Sequence, residues 1–155
     1  MQKIAPALWA ASFLAASFAG NQAAAQTLTR TQDMSFGAFA AGTGGTVTIS
    51  PQSARTASGD VTLIGRSAGS PASFDVSGSA NATYQIALPA DGTAILTGSN
   101  GGSMSLSSFA SSPSPHGQLN MAGTQTLHIG ATLAVGINQA PGTYSGSFSV
   151  TVVFE

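Results

Sequence analysis

The last fourteen residues, Gly142 to Glu155 (GTYSGSFSVTVVFE), alternate strictly between two kinds of side chain. Tyr144, Gly146, Phe148, Val150, Val152 and Phe154 fall on one face of an extended chain. Thr143, Ser145, Ser147, Ser149 and Thr151 fall on the other. A period of two is that of a half-buried β-strand, and β-branched and aromatic residues pack well on a pleated surface. The spacing predicts one long terminal strand, well beyond the usual five or six residues or so. Such a strand must be covered on its apolar face and paired along its edges, because an open edge is a template for further pairing.

The chain opens with a different pattern. Lys3 supplies a positive charge, Ile4 to Gly20 is apolar and free of charge, and Ala23-Ala24-Ala25 is a run of small residues. These are the three regions of a secretory signal peptide, and the apolar run is too short for a membrane span. Residues 1–25 are therefore expected to be a leader outside the fold, cleaved after Ala25 on export to the periplasm, the cell surface or the medium. Residues 26–155 are expected to form one domain with one core. No second apolar run follows that would anchor it in a membrane.

Charge is scarce in that domain. Arg30, Arg55 and Arg66 oppose Asp33, Asp60, Asp75, Asp91 and Glu155, a net of −2 with histidine neutral. No basic patch is available for nucleic acid. Cysteine is absent, which excludes disulfides and thiolate metal sites. Stability has to come from packing and strand pairing.

Along the chain, Thr27 to Asp33 reads as a short polar arm whose only large apolar residue is Leu28. Met34, Phe36 and Ala38 predict a first strand, and Val47 and Ile49 a second, stopped by Pro51. Residues 52–59 read as a polar loop, and Val61 to Ile64 as a short apolar run. Phe74 and Val76, then Tyr84, Ile86 and Leu88, then Ile95 and Leu96 predict further strands, with turns at Asp91-Gly92 and Asn100-Gly101-Gly102. Met104 and Leu106 continue, with Phe109 out of phase as at a bulge. Residues 111–117, with two prolines, read as a loop. Leu127, Ile129, Ala131, Leu133 and Val135 make a second long strand, and a turn over 138–142 leads into the last one. About nine short strands without a helical period predict an all-β antiparallel sandwich, with a closed barrel as the alternative.

Gly65-Arg66-Ser67-Ala68-Gly69 matches the G-x-S-x-G pattern of a nucleophile elbow, with Asp75 or Asp91 and then His116 or His128 following in hydrolase order. That mechanism needs the serine on a strand-to-helix turn backed by an oxyanion hole. Here Pro71 and another strand come next, so a turn is the better account and no catalytic residue is assigned. His128 sits on the polar phase of its strand and His116 in a proline-containing loop, neither beside a second ligand at metal-site spacing. Asp60 and Asp91 could share a calcium ion only if their loops meet. Asn81-Ala82-Thr83 is a glycosylation sequon that reads better as a turn. No cofactor or metal is expected.

At the terminal strand Phe154 is penultimate, and Gly142 is the fourteenth residue counted back from Glu155. In these features the chain resembles the subunits of chaperone–usher pili, which end in an alternating strand with a penultimate aromatic and a glycine at that spacing. The mature chain also resembles a bacterial secreted domain family of unknown function that looks related to those pilins. That resemblance is carried by Met34 to Val47 (MSFGAFAAGTGGTV), Asn81-Ala82-Thr83-Tyr84 and Ala140-Pro141-Gly142-Thr143-Tyr144-Ser145-Gly146. The pilin resemblance implies an immunoglobulin-like sandwich lacking one strand, filled first by a periplasmic chaperone and then by the N-terminal arm of the next copy. Affinity in such strand addition comes from main-chain bonds and specificity from alternate side chains.

The resemblance makes Gly142, Tyr144, Phe148, Val150, Val152 and Phe154 the chaperone- or subunit-binding edge, and Leu28, Arg30 and Gln32 the candidate donor arm. The arm departs from the pilin pattern, because it offers one apolar residue where a donor presents several. The disulfide of many pilins is also missing. Two alternatives follow: a subunit that accepts a strand without being a good donor, or a self-complete domain. The expected function is a non-enzymatic, secreted surface or pilus-like subunit built by strand complementation. Its rival is a self-contained extracellular binding sandwich, which would show exposed aromatics on loops. The chain has eleven aromatics in all, several in the leader and most others in core phase.

Overall fold

The computed structural model describes residues 24–66 and 68–155, together with the backbone of Ile4–Ala5. In chain order the strands are β1 (Ile4–Ala5), β2 (Thr27–Gln32), β3 (Phe39–Ala40), β4 (Gly45–Ile49), β5 (Arg55–Gly59), β6 (Thr62–Leu63) and β7 (Ala72–Ser77). They continue as β8 (Thr83–Ala87), β9 (Ile95–Gly98), β10 (Ser103–Ser112), β11 (His116–Gln118), β12 (Thr124–Val135), β13 (Tyr144–Ser145) and β14 (Thr151–Phe154). No helix occurs among the described residues. Every strand pairing is antiparallel except β1 with β13.

Strand β12 organises the larger sheet. Its residues 124–129 pair with β7 and residues 131–135 with β4, while β10 pairs across both segments from His128 to Leu133. Since β10 holds one edge throughout, β7 and β4 share the other, and the hand-over falls at Gly130. A side chain there would run into the backbone of Ile49 to Pro51, so glycine lets the two neighbours meet end to end. Strand β2 extends the sheet beyond β7 and β5 extends it beyond β4; on the far side the order runs β12-β10-β9-β13. A smaller sheet, β11-β8-β14, covers it, and β3-β6 forms a short ribbon.

One core joins the layers. Val47, Phe74, Val76, Leu127, Ile129 and Leu133 of the large sheet meet Tyr84 and Val152 of the small one, all at most 3% exposed. The alternation read for β12 holds, with Leu127, Ile129, Ala131, Leu133 and Val135 buried. Its polar face is knitted to its neighbours by side-chain bonds: Thr126 Oγ1 donates to Asp75 (3.1 Å), His128 Nδ1 meets Ser73 Oγ (2.8 Å), and Thr132 meets Thr48 (2.9 Å). Thr46 and Ser58 continue the pattern at 2.6 Å. Cross-strand hydroxyl pairs of this kind each contribute roughly 0.2–1 kcal/mol. They are how a sheet almost without charge fastens its outer face; the one ion pair described, Arg30 with Asp33 at 2.8 Å, lies at the end of β2.

Four segments differ from the sequence expectation. The polar arm is strand β2, paired with β7 from Thr27↔Ser77 to Gln32↔Ser73. The loop over 52–59 contains β5, an edge strand polar on both faces apart from Ala57, so no period-two signal could mark it. Met34 to Ala38 is not a ladder strand: Ser35 makes a single bridge to Ser70. Gly37 then takes φ +68° and breaks the alternation, so that Ala38 and Phe39 are buried in succession. The loop over 111–117 is shortened from both ends, by β10 running to Ser112 and β11 starting at His116. The bulge expected at Phe109 is present, as a register shift between Ser107 and Ala110 with Ser108 at φ +50°.

Candidate functional site

The terminal stretch keeps its alternation but is not one ladder. Tyr144, Phe148, Val150 and Val152 are buried, Phe154 is half-buried, and Ser145, Ser147 and Ser149 are exposed. Hydrogen-bonded pairing, however, is confined to the two ends. Strand β13 pairs with β9 of the large sheet, and β14 pairs with β8 of the small one. Between them, residues 146–150 cross from one layer to the other with no backbone hydrogen bond to another described residue. A sequence period reports which side chains face the core; it does not report which sheet supplies the neighbour.

Each buried residue has a definite seat. Gly142 lies beside Ser99 and Asn100, where Asn100 Nδ2 donates to Pro141 O (2.9 Å) and Thr143 N donates to Ser99 Oγ (3.1 Å). The Tyr144 hydroxyl donates to Ala140 O (2.6 Å) and accepts from Gln139 Nε2 (2.7 Å). The Phe148 ring meets Phe109 at 5.3 Å between centroids, which accounts for the out-of-phase phenylalanine at the bulge. Phe154 meets Tyr84 at 5.7 Å. Burial pushes the Tyr84 phenol up to about 12, and its hydroxyl donates to Gln125 Oε1 (2.6 Å). Glu155 closes the strand by accepting from Gln85 and Thr83.

Backbone parity fixes the free edge. Ser99 N donates to Thr143 O and Glu155 N donates to Thr83 O, so the odd-numbered residues of the terminal stretch turn their amide groups toward β9 and β8. The even-numbered residues turn theirs to the opposite edge. Along that outer edge the only described partner is β1, in parallel register Ile4↔Tyr144 and Ala5↔Ser145. From Gly146 to Phe154 the outer edge carries no described strand. On the inner side, where β8 ends and β9 begins, a cleft of about 390 Å³ opens between Leu88, Pro89, Thr93 and Ala94 on one wall and Ser147, Phe148 and Ser149 on the other.

The candidate donor arm is engaged within the chain. Leu28 is 3% exposed opposite Val76, Arg30 reaches Asp33, and Gln32 Nε2 donates to Pro71 O (3.2 Å).

The residues in hydrolase order have structural partners. Ser67 lies outside the described residues. Asp75 and His128 are diagonal neighbours on the polar face of β7 and β12, held by Thr126 and Ser73. Asp91 Oδ1 accepts from Ser108 N (2.7 Å) and so caps the bulge, while His116 is exposed opposite Gln85. Asp60 Oδ2 accepts from Thr43 N (3.0 Å) and Oγ1 (3.2 Å), which holds a different turn from Asp91. Asn81 occupies a turn at φ +59°. Among the described residues no group of three or more His, Asp or Glu side chains could hold a metal ion. No helix among them is long and apolar enough to cross a membrane.

Sequence reasoning missed the cleft and the change of layer. Both depend on where β8 and β9 end, which Pro89 signals only for β8.

A family described as a domain of unknown function (DUF4402) matches residues 27–154. Comparison with curated proteins and with solved structures finds no match. The chain belongs to that family of unknown function.

Proposed function

We propose that this family member is an exported, non-enzymatic structural subunit of a surface or pilus-like assembly that takes up a β-strand along the outer edge of residues 144–154. The observation that carries the reading is the continuous outer edge from Gly146 to Phe154, which has no described strand partner although its side chains are core residues. An unpaired edge backed by a finished apolar face supplies main-chain donors and acceptors for an incoming strand at little reorganisation. The Tyr144 hydroxyl bonded four residues upstream resembles the tyrosine corner of immunoglobulin-like sandwiches, which supports that variant of the fold. The partner is a periplasmic chaperone or another copy of the chain. Because β2 is already paired at home, the chain reads as an acceptor first.

Strand peptides with alternating apolar residues, one of them copying Gln26 to Phe36, test this on the chain beginning at Gln26. Binding to the folded state raises the melting temperature with peptide concentration. A monomer indifferent to every such peptide would instead be a self-contained binding module.

A further inference from the structure

Strand β1 falls in the predicted leader, yet its backbone lies against the outer edge of β13, parallel, with Ile4 opposite Tyr144 and Ala5 opposite Ser145. This is the same edge as the one proposed for assembly. The run from Ile4 to Gly20 is apolar and uncharged, matching an edge whose backing residues are Phe148, Val150 and Val152. The link from Ala5 to Thr27 is long enough: residues 6–26 extended reach about 70 Å, against a domain radius of gyration of about 14 Å. Tethering also makes the contact intramolecular, at an effective concentration on the order of millimolar.

Resting on the edge reading above, we propose that in the unprocessed chain the leader covers the assembly edge, entering parallel at Ile4–Ala5, and that its removal uncovers the edge for a partner strand. The leader would then do two jobs, export and protection of an edge that would otherwise pair prematurely.

The chain has no cysteine, so an engineered pair gives a clean readout. Ala5→Cys with Ser145→Cys places the two thiols on adjacent strands, about 4.8 Å apart in backbone spacing and within disulfide range. In the uncleaved full chain this pair is expected to form an intramolecular disulfide under mild oxidation. Ala5→Cys with Ser58→Cys, on the far edge at β5, is expected to form little. Equal yields from the two pairs, or covalent dimers alone, would overturn the proposal. A second measurement separates it from the edge reading. Titrating an alternating strand peptide into full-length wild type and into Ala5→Pro, which lacks a donor in β1, should show at least tenfold tighter binding to the variant. Equal tight binding to both would overturn the cover and leave the edge standing. A register-specific disulfide with no peptide binding to either chain would keep the leader contact and overturn strand addition.

Discussion

The Tyr144 hydroxyl donates to the carbonyl oxygen of Ala140, four residues upstream, at 2.6 Å. Gln139 Nε2 donates back to the same hydroxyl at 2.7 Å, and Gln139 Oε1 accepts from Gly136 N. One phenol thus ties the turn after β12 to the first residue of β13, and sets where the terminal stretch begins to cross the layers. Tyr144→Phe keeps the ring but leaves these groups short of a partner. The expected loss is about 1–2 kcal/mol, measured by denaturant unfolding with an unchanged slope. A variant as stable as the parent would show that the corner is decorative.

Phe148 and Ser147 test the alternation where no ladder supports it. Phe148 is 6% exposed and packed on Phe109, whereas Ser147 is open to solvent. Phe148→Asp puts an unpaired charge in an apolar seat and removes an aromatic, whose burial alone contributes roughly 1.5–3 kcal/mol. Against a domain stability of about 5–15 kcal/mol, most of the protein should then be unfolded or only marginally folded. Ser147→Asp should change the melting temperature little. Similar effects of both would mean that residues 146–150 are not held against the core.

What the sequence discloses, and what it hides, follows from which force fixes each element. Burial has a period, so β12, β7, β8 and the buried face of the terminal stretch were legible from Leu127, Phe74, Tyr84 and Val150. Edge strands are fixed by backbone pairing alone: Thr56 and Ser58 of β5 look like a loop because neither face is apolar. Strand β2 hid for the same reason, with only Leu28 turned inward. The terminal edge was legible as a candidate. Its division between two sheets was not, because Ser147 and Ser149 carry no mark of the neighbour they lack.

Tyr84 gives the fold an alkaline limit. Its ring is fully buried and its phenol is held at about 12, above the usual value of about 10 in an unfolded chain. Below pH about 10 both states keep the proton, and the contribution is fully present. Between about 10 and about 12 the unfolded chain releases its proton while the folded one retains it, so stability falls as pH rises. Residues 26–155 contain no lysine, which leaves that window free of amine side chains. The melting temperature should therefore drop between pH 10 and about 12 in the parent, and Tyr84→Phe should remove most of the drop. A parallel decline in both would assign the limit to another group.

Gly130 and Gly65 separate close approach from mere flexibility. A Cβ at Gly130 would overlap the backbone of Ile49, Ser50 and Pro51, at the point where β12 passes from β7 to β4; at Gly65 nothing lies within 4 Å. Backbone cannot rotate aside as a side chain can, so Gly130→Ala should push β4 away from β12 and cost more than about 1–3 kcal/mol, the usual range for overpacking. Because β5 hangs on β4, amides of both strands should exchange faster while those of β7 keep their protection. Gly65→Ala should be neutral, or stabilise by up to about 1 kcal/mol through the unfolded chain. If Gly130→Ala were as mild as Gly65→Ala, the end-to-end meeting of β7 and β4 on one edge of β12 would be wrong, and with it the topology that delivers the terminal stretch to both sheets.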